Sequence, residues 1–261
     1  MKTLVCIKQV PETARVEIDP ETHTLVREGV RSVMNPLDAF ALEEALRIRE
    51  ALGGTVTALT MGPAQAQAVL REAMALGADE GVLLSGRELA GSDTWATSYA
   101  LACAVRTLGP FDLILCGKQA VDGDTAQVGP ELAVHLGLPQ ATCVRRVREV
   151  CPECAVVECL TDRGHRVLRC PLPAVMTALK DLNEPRRPNL EDLHRSRFAA
   201  VRRLDSAAVG ADPSEIGLEG SPTRVLHIFS PPPRGGGRRF EDDLEAGLAA
   251  ALRLIDEEGL L

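Results

Sequence analysis

The feature that most constrains this chain is a regular alternation of buried strand and helix through its first 140 residues. Thr3 to Val10 is an apolar run rich in β-forming residues and reads as a first strand, ended by Pro11. Arg15 to Val33 reads as an irregular excursion or hairpin. Pro36 to Leu52 is a helix, with Asn35 at the N-cap, Pro36 at the first helical position and Gly53-Gly54 as the stop. Thr55 to Met61 is a second strand, broken by Gly62-Pro63. Ala64 to Leu76 is a second helix, closed by Gly77. Gly81 to Leu84 and Phe111 to Cys116 continue as strands. Ser92 to Leu108, capped by Ser92 or Asp93, and Thr125 to Leu136 continue as helices.

That alternation predicts an α/β fold, a mostly parallel sheet with helices on both faces. Ligands of such sheets sit outside the carboxyl ends of the strands, near a reversal in strand order. The loops to watch are therefore those after Val10, Met61, Ser85 and Cys116. From Ala141 the pattern changes. Cys143 to Cys170 holds short strand-like pieces joined by turns, and Leu172 to Ala178 is a further strand. From Lys180 to about Arg203 the chain is rich in Pro and Arg and poor in apolar periodicity. Thr223 to Ser230 reads as one more strand, and Phe240 to Glu258 as a final amphipathic helix. The expected organisation is an α/β domain over 1–182, a recognition segment over 183–203 and a C-terminal arm over 204–261. So long a tail with little core of its own is expected to pack on another chain.

The most informative loop is Cys116-Gly117-Lys118-Gln119-Ala120-Val121-Asp122-Gly123-Asp124-Thr125-Ala126-Gln127-Val128-Gly129-Pro130. It leaves a buried strand and enters a helix. Gly117 and Gly123 allow close backbone approach to a ligand. Free N–H groups near Thr125 to Gln127 suit a phosphate, and Thr125 adds a hydroxyl. It is neither a P-loop nor a G-x-G-x-x-G turn, and a capped helix with a polar turn remains the bland alternative. Gly91-Ser92-Asp93-Thr94 opens another helix on the same expected edge. Met34-Asn35-Pro36-Leu37-Asp38 opens a third.

Composition bounds the function. Acidic residues outnumber basic ones 37 to 29 and there are only seven aromatics, so neither a phosphate-backbone surface nor base-stacking platforms are expected. No nucleic-acid partner is expected. No apolar run reaches the length of a membrane span, so no direct membrane insertion is expected and a cytoplasmic location is. Cys151-Pro152-Glu153-Cys154, with Cys159 and Cys170 nearby, lacks the spacing of a zinc ribbon, and no metal site is expected. The five His form no H-E-x-x-H or triad spacing, and G-x-S-x-G is absent. No catalytic acid–base pair is expected.

Several motifs in order resemble the β subunit of electron-transfer flavoproteins. They are Leu4-Val5-Cys6-Ile7-Lys8-Gln9-Val10-Pro11, Met34-Asn35-Pro36-Leu37-Asp38, Gly77-Ala78-Asp79 and Phe111 to Ala120. Leu172-Pro173-Ala174-Val175-Met176-Thr177, Leu182-Asn183-Glu184-Pro185-Arg186, Gly217 to Thr223 and the Pro-Pro-Arg-Gly-Gly-Gly run follow. The resemblance implies a nucleotide-binding α/β domain paired with an α subunit that carries FAD. In simple members of that family the β subunit buries an AMP. In electron-bifurcating members a second FAD takes the equivalent place.

Carried over motif by motif, the resemblance implies a pocket lined by Cys6, Asn35, Leu37, Asp38, Met61, Gly117, Lys118, Gln119, Asp122, Gly123, Asp124, Thr125, Ala126, Gln127 and Val128. The loop from Asp122 to Pro130 looks like the bifurcating and nitrogen-fixation-linked branch, as does Gly91 to Ser98. FAD is therefore the expected cofactor of this subunit, with AMP as the alternative, and Asp93, Thr94 and Thr97 near it. NADH or a dehydrogenase is implied as electron donor, and a low-potential acceptor as partner. The resemblance also places Leu190 as a contact to partner dehydrogenases. His194-Arg195-Ser196-Arg197 and Arg187 depart from the family pattern there. A universal-stress-type nucleotide-binding module is the more distant alternative.

Overall fold

The computed structural model describes residues 1–12, 32–226, 240 and 243–259. The chain divides into two compact units, Met1–Leu226 and His227–Leu261. The strands are β1 (Lys2–Cys6), β2 (Gln9–Pro11), β3 (Ser32–Met34), β4 (Thr55–Met61), β5 (Glu80–Leu84), β6 (Leu113–Gly117), β7 (Gln140–Val150), β8 (Cys154–Thr161), β9 (Gly164–Pro171), β10 (Ala174–Ala178) and β11 (Val201–Leu204). The helices are α1 (Pro36–Leu52), α2 (Gln67–Leu76), α3 (Thr94–Leu108), α4 (Val128–Leu136), α5 (Leu190–Phe198) and α6 (Leu244–Glu257).

Nine strands form one sheet in the order β11-β5-β4-β1-β6-β10-β7-β8-β9. The pairs from β11 to β7 are parallel, and β7–β8 and β8–β9 are antiparallel. Side chains alternate across a strand, so β1 feeds two cores. Val5 packs with α1 and α2 on one face, among Leu42, Leu46, Leu70 and Ala73. Leu4 and Cys6 pack with α3 and α4 on the other, among Leu101, Ala104, Leu132 and Ala133. Each fully buried aliphatic side chain of this kind contributes about 1.5–3 kcal/mol. The expected α/β fold with helices on both faces is what the chain adopts.

Several boundaries differ from expectation. The run Thr3 to Val10 is two strands, because the sheet ends near Cys6. Beyond it Lys8 O accepts from Asn35 N at 2.8 Å, and β2 turns to pair antiparallel with β3. Of the excursion Arg15 to Val33, all but its last two residues lie outside the described residues. The fourth helix starts at Val128, not Thr125, because Asp124 and Ala126 have left-handed backbone (φ 53° and 56°) that a helix cannot contain. The hairpin pieces after Ala141 are long antiparallel strands.

Two elements lie in the stretch read as irregular. Helix α5 is capped by Asn189, whose side chain accepts from Asp192 N at 2.7 Å. Strand β11 adds a parallel edge to β5, with Val201 opposite Gly81 and Leu204 opposite Leu84. Its two central arginines hid it from any apolar pattern. Thr223–Leu226 is not a strand, and the rest of that expected strand, 227–230, lies outside the described residues. Helix α6 forms within the expected span. No described helix is long and apolar enough to cross a membrane.

Candidate functional site

The strand order runs outward from β1 in both directions, through β4 and β5 on one side and β6 and β10 on the other. The reversal therefore lies between β1 and β6, where Cys6 stands opposite Cys116 in register. This is the crevice in which open α/β sheets take their ligands. The Cys6 side chain, together with burial, pushes the Cys116 thiol well above its usual pKa, so Cys116 stays protonated.

Asp38, in the first turn of α1 and only 6% exposed, organises the crevice. Its Oδ2 accepts from Lys8 N at 2.7 Å. Its Oδ1 accepts from Asn35 Nδ2 at 2.9 Å and from Gly117 N at 3.2 Å. One carboxylate thus ties the ends of β1 and β6 to the start of α1. Burial pushes its pKa up to about 7, against the pull of the hydrogen bonds from Asn35, Lys8 and Gly117. Asn35 holds the N-cap position but makes no side-chain cap. It reaches across instead: Nδ2 donates to Gln119 O at 2.9 Å, and Oδ1 accepts from Val121 N at 3.1 Å. Asn35 and Asp38 together fix where the 117–127 loop leaves the sheet.

The loop itself is mostly exposed from Val121 to Gln127. Its carboxylates are engaged by the chain's own groups. Asp122 Oδ1 takes Lys8 Nζ at 2.7 Å, and Asp124 Oδ1 takes Gln119 Nε2. Asp124 N closes the turn onto Ala120 O at 2.8 Å. Among the described residues, the amides of Asp122, Gly123, Thr125, Ala126 and Gln127 have no hydrogen-bond partner. They precede the N-terminus of α4, where helix N–H groups and dipole favour an anion. Gly123 faces open space. Gly117 is bare for another reason: a Cβ there would lie 2.3 Å from Asp38 Oδ1 and 2.8 Å from Leu37 C. Its close approach is to α1.

Asp93 and Thr94 stand at the head of α3, beside α4. Asp93 Oδ1 caps the helix from Ala96 N at 3.1 Å. Its Oδ2 accepts Thr223 N at 2.9 Å and Thr223 Oγ1 at 2.7 Å, while Asp93 N donates to Ser221 Oγ at 2.8 Å. Partial burial alone would raise its pKa, but these hydrogen bonds outweigh burial and hold it below the usual carboxylate range. Thr94 Oγ1 donates to Glu131 Oε1 at 3.1 Å, and Ser98 Oγ to Glu131 Oε2 at 3.4 Å. Asp93 and Thr94 thus clamp the 217–223 segment and the first turn of α4 to α3. Thr97 lies half-buried one turn along α3, and Met61 half-buried at the end of β4.

The structure brings Cys6, Asn35, Leu37, Asp38 and Gly117 to Val128 together at the strand-order reversal. Lys8, Glu131, Ser221 and Thr223 are the partners that motif reasoning did not assign. Their roles arise from long-range pairing, such as Asp93 with Thr223, which no local spacing encodes. Among the described residues no three His, Cys, Asp or Glu side chains converge to hold a metal ion.

The family model described as "Electron transfer flavoprotein domain" matches residues 22–209. The electron transfer flavoprotein subunit beta of Megasphaera elsdenii is 49% identical over 257 residues, 95% of each chain. This chain belongs to the electron transfer flavoprotein family, among its β subunits. Protein FixA of Azotobacter vinelandii is 46% identical over 240 residues, 90% of this chain and 85% of its own. The caffeyl-CoA reductase-Etf complex subunit CarD of Acetobacterium woodii is 44% identical over 238 residues, 91% of this chain and 90% of its own.

A flavoprotein subunit calls for a place to hold a phosphorylated cofactor. The donor set suits one: consecutive unpartnered amides before a helix, with neighbouring carboxylates already neutralised or hydrogen-bonded. A phosphate group suits these amides.

Proposed function

We propose that this electron transfer flavoprotein β subunit works in an αβ heterodimer, passing electrons between NADH or a dehydrogenase and an acceptor, and that it holds an FAD of its own as electron-bifurcating members do. The observation that supports this most is the amide-bearing loop at the β1–β6 reversal, whose Asp122-Gly123-Asp124-Thr125 sequence resembles the bifurcating branch. The amides of Gly123 and of Thr125 to Gln127 would hold the phosphates. Asn35 and Asp38 set the loop's take-off, and Cys6, Leu37, Met61 and Val128 offer aliphatic and thiol surface. Asp93, Thr94 and Thr97 flank the same crevice through α3 and α4.

A bound FAD supplies hydride acceptance from a two-electron donor and release of single electrons; the protein supplies binding and position. With no aromatic side chain among these residues, backbone amides and aliphatic groups carry the recognition. Residues 183–203 present Leu190, 85% exposed on the first turn of α5, as the contact for a dehydrogenase. The arm over 204–261 packs on the α subunit beyond the part, up to Thr223, that this chain's own core and α3 hold. Copurification with the α subunit, followed by chromatography of the denatured complex, tests the cofactor assignment. Two FAD per heterodimer is the expected count. One FAD and one AMP would overturn the bifurcating reading and leave a simple electron carrier.

A further inference from the structure

Strands β7 and β8 join through a two-residue turn, Pro152-Glu153, so Cys151 and Cys154 face each other as its closing pair. Cys151 N donates to Cys154 O at 2.9 Å, the hydrogen bond of a paired position in an antiparallel ladder. Such pairs have Cα atoms about 5.5 Å apart. That lies inside the roughly 4.4–6.8 Å window in which a disulfide forms without backbone movement. The two Sγ atoms are already 3.4 Å apart. Arg169, from β9, places its Nε 3.3 Å from Cys154 Sγ. Arg169 Nε and Cys151 Sγ thus both approach the Cys154 sulfur.

Accessibility divides the pair. Cys154 is buried and Cys151 half-buried at the turn. The other nearby thiols, Cys159 and Cys170, are buried in the apolar core, out of reach of a small disulfide. The turn is also tied to the chain entering β10, because Leu172 N donates to Glu153 O at 2.9 Å. That bond holds the two sulfurs in register.

We propose that Cys151 and Cys154 form a thiol–disulfide exchange site that takes a low-molecular-weight disulfide as its oxidant. The accessible Cys151 gives up its proton to solvent and attacks one sulfur of the small disulfide. A mixed disulfide forms, and the first small thiolate leaves and is protonated. Cys154, hydrogen-bonded by Arg169, then gives up its proton to solvent and attacks the Cys151 sulfur. The intramolecular disulfide forms, and the second small thiolate leaves and is protonated. Two protein thiols are oxidised and one disulfide is reduced to two thiols, so electrons and protons balance. Arg169 is a positioning residue, setting how fast the mixed disulfide resolves.

The test equilibrates the full-length protein with glutathione disulfide and maps its eight cysteines by mass spectrometry. The wild type is expected to lose two thiols, joined as Cys151–Cys154. Cys154→Ser is expected to stop at one glutathionyl group on Cys151, and Cys151→Ser to form no internal disulfide. Arg169→Gln is expected to lengthen the life of the mixed disulfide several-fold, and Arg169→Lys less so. A wild type that keeps all eight thiols, or a disulfide that uses Cys159 or Cys170, overturns the proposal. So does a folded Cys154→Ser protein with no adduct on Cys151.

Discussion

Helix α1 buries three carboxylates, Asp38, Glu43 and Glu44, and the chain treats the first two in opposite ways. Asp38 is surrounded by neutral donors, the amides of Lys8 and Gly117 and the Asn35 side chain, and burial wins: its pKa rises to about 7. Glu43 is as deeply buried, at 4% exposure, but Arg186 grips it through Nε at 2.8 Å and Arg47 through its own Nε at 2.9 Å. Burial would raise Glu43 as well. The two guanidinium groups outweigh it and hold Glu43 below the usual carboxylate range. Amide donors alone give direction and register without compensating charge. A guanidinium gives charge as well. The first arrangement serves the crevice, where an uncommitted charge would compete with a ligand. The second fastens the segment that carries α5.

The largest effect that tests this contrast is in the pH dependence of stability. A carboxyl whose folded pKa is raised binds its proton more tightly in the native state. Its contribution is fully present below the unfolded value near 3.8 and is lost as pH rises to about 7. A shift of this size amounts to roughly 4 kcal/mol. Glu43 has the opposite sign: its contribution is present above the ordinary value of 4.5 and is lost as pH falls below it. Urea unfolding from pH 3 to 8 should therefore show two limbs. Burial raises the Glu44 pKa as well and adds to the same fall, so Asp38→Asn should flatten most of it between about 4 and 7 and leave the acid limb. A fall unchanged in Asp38→Asn would assign it to another group, with Glu44 the next to substitute.

Next in size is Arg186→Ala. It leaves Glu43 with Arg47 alone, and removing one partner of a fully buried pair costs about 3–5 kcal/mol. The guanidinium is itself partly exposed, so a loss of about 2 kcal/mol is expected here. Hydrogen exchange should rise across 183–198, because Asn183 and Arg186, with Arg47 bonding the Glu184 carbonyl, tie that segment to α1. Glu43→Gln in the same background should recover part of the loss by removing the stranded charge. No recovery would mean that the packing of Arg186, not its charge, holds the segment.

The same two regions show what could be read in advance. The parallel sheet was legible because β1, β4, β5 and β6 are near-continuous apolar runs between Gly and Pro stops. The crevice was legible only as far as the loops after Val10, Met61, Ser85 and Cys116, with the 116–130 loop the most informative; the strand order that places the reversal between β1 and β6 is set by long-range pairing. The Asn35-x-x-Asp38 pair looked like a helix cap, and only the structure shows Asn35 spending its side chain on Gln119 and Val121. Around Arg186 the motif was recognisable, but its physical role was not. That role depends on contacts 143 residues away in sequence. Strand β11 was hidden because an edge strand draws its stability from ladder hydrogen bonds, whatever its side chains.

A smaller effect separates two glycines in one loop. Gly117→Ala puts a methyl group within 2.3 Å of Asp38 Oδ1 and against the Leu37 backbone, neither of which can yield easily. Overpacking of this kind costs about 1–3 kcal/mol. Gly123→Ala meets nothing within 4 Å and should change stability by less than about 0.5 kcal/mol. The comparison becomes useful with cofactor counting of the heterodimer. Gly123→Ala should alter cofactor occupancy if its amide faces a phosphate, with melting unchanged. Full occupancy in a Gly123→Ala complex would move the phosphate site away from this turn.

The smallest expected change in stability is at Leu190. Its side chain is 85% exposed at the start of α5, so Leu190→Ala removes almost no buried surface, and melting should shift within measurement error. If the Arg186 clamp exists to present this residue, the two variants should converge in function while differing in stability. Leu190→Ala should slow electron transfer to an acyl-CoA dehydrogenase with flavin content intact. Arg186→Ala should do the same by loosening the segment. Equal rates for wild type and Leu190→Ala would remove the docking role. A slow Arg186→Ala beside a normal Leu190→Ala would shift that role to another residue of the clamped segment, with exposed Phe198 at the far end of α5 the next to substitute.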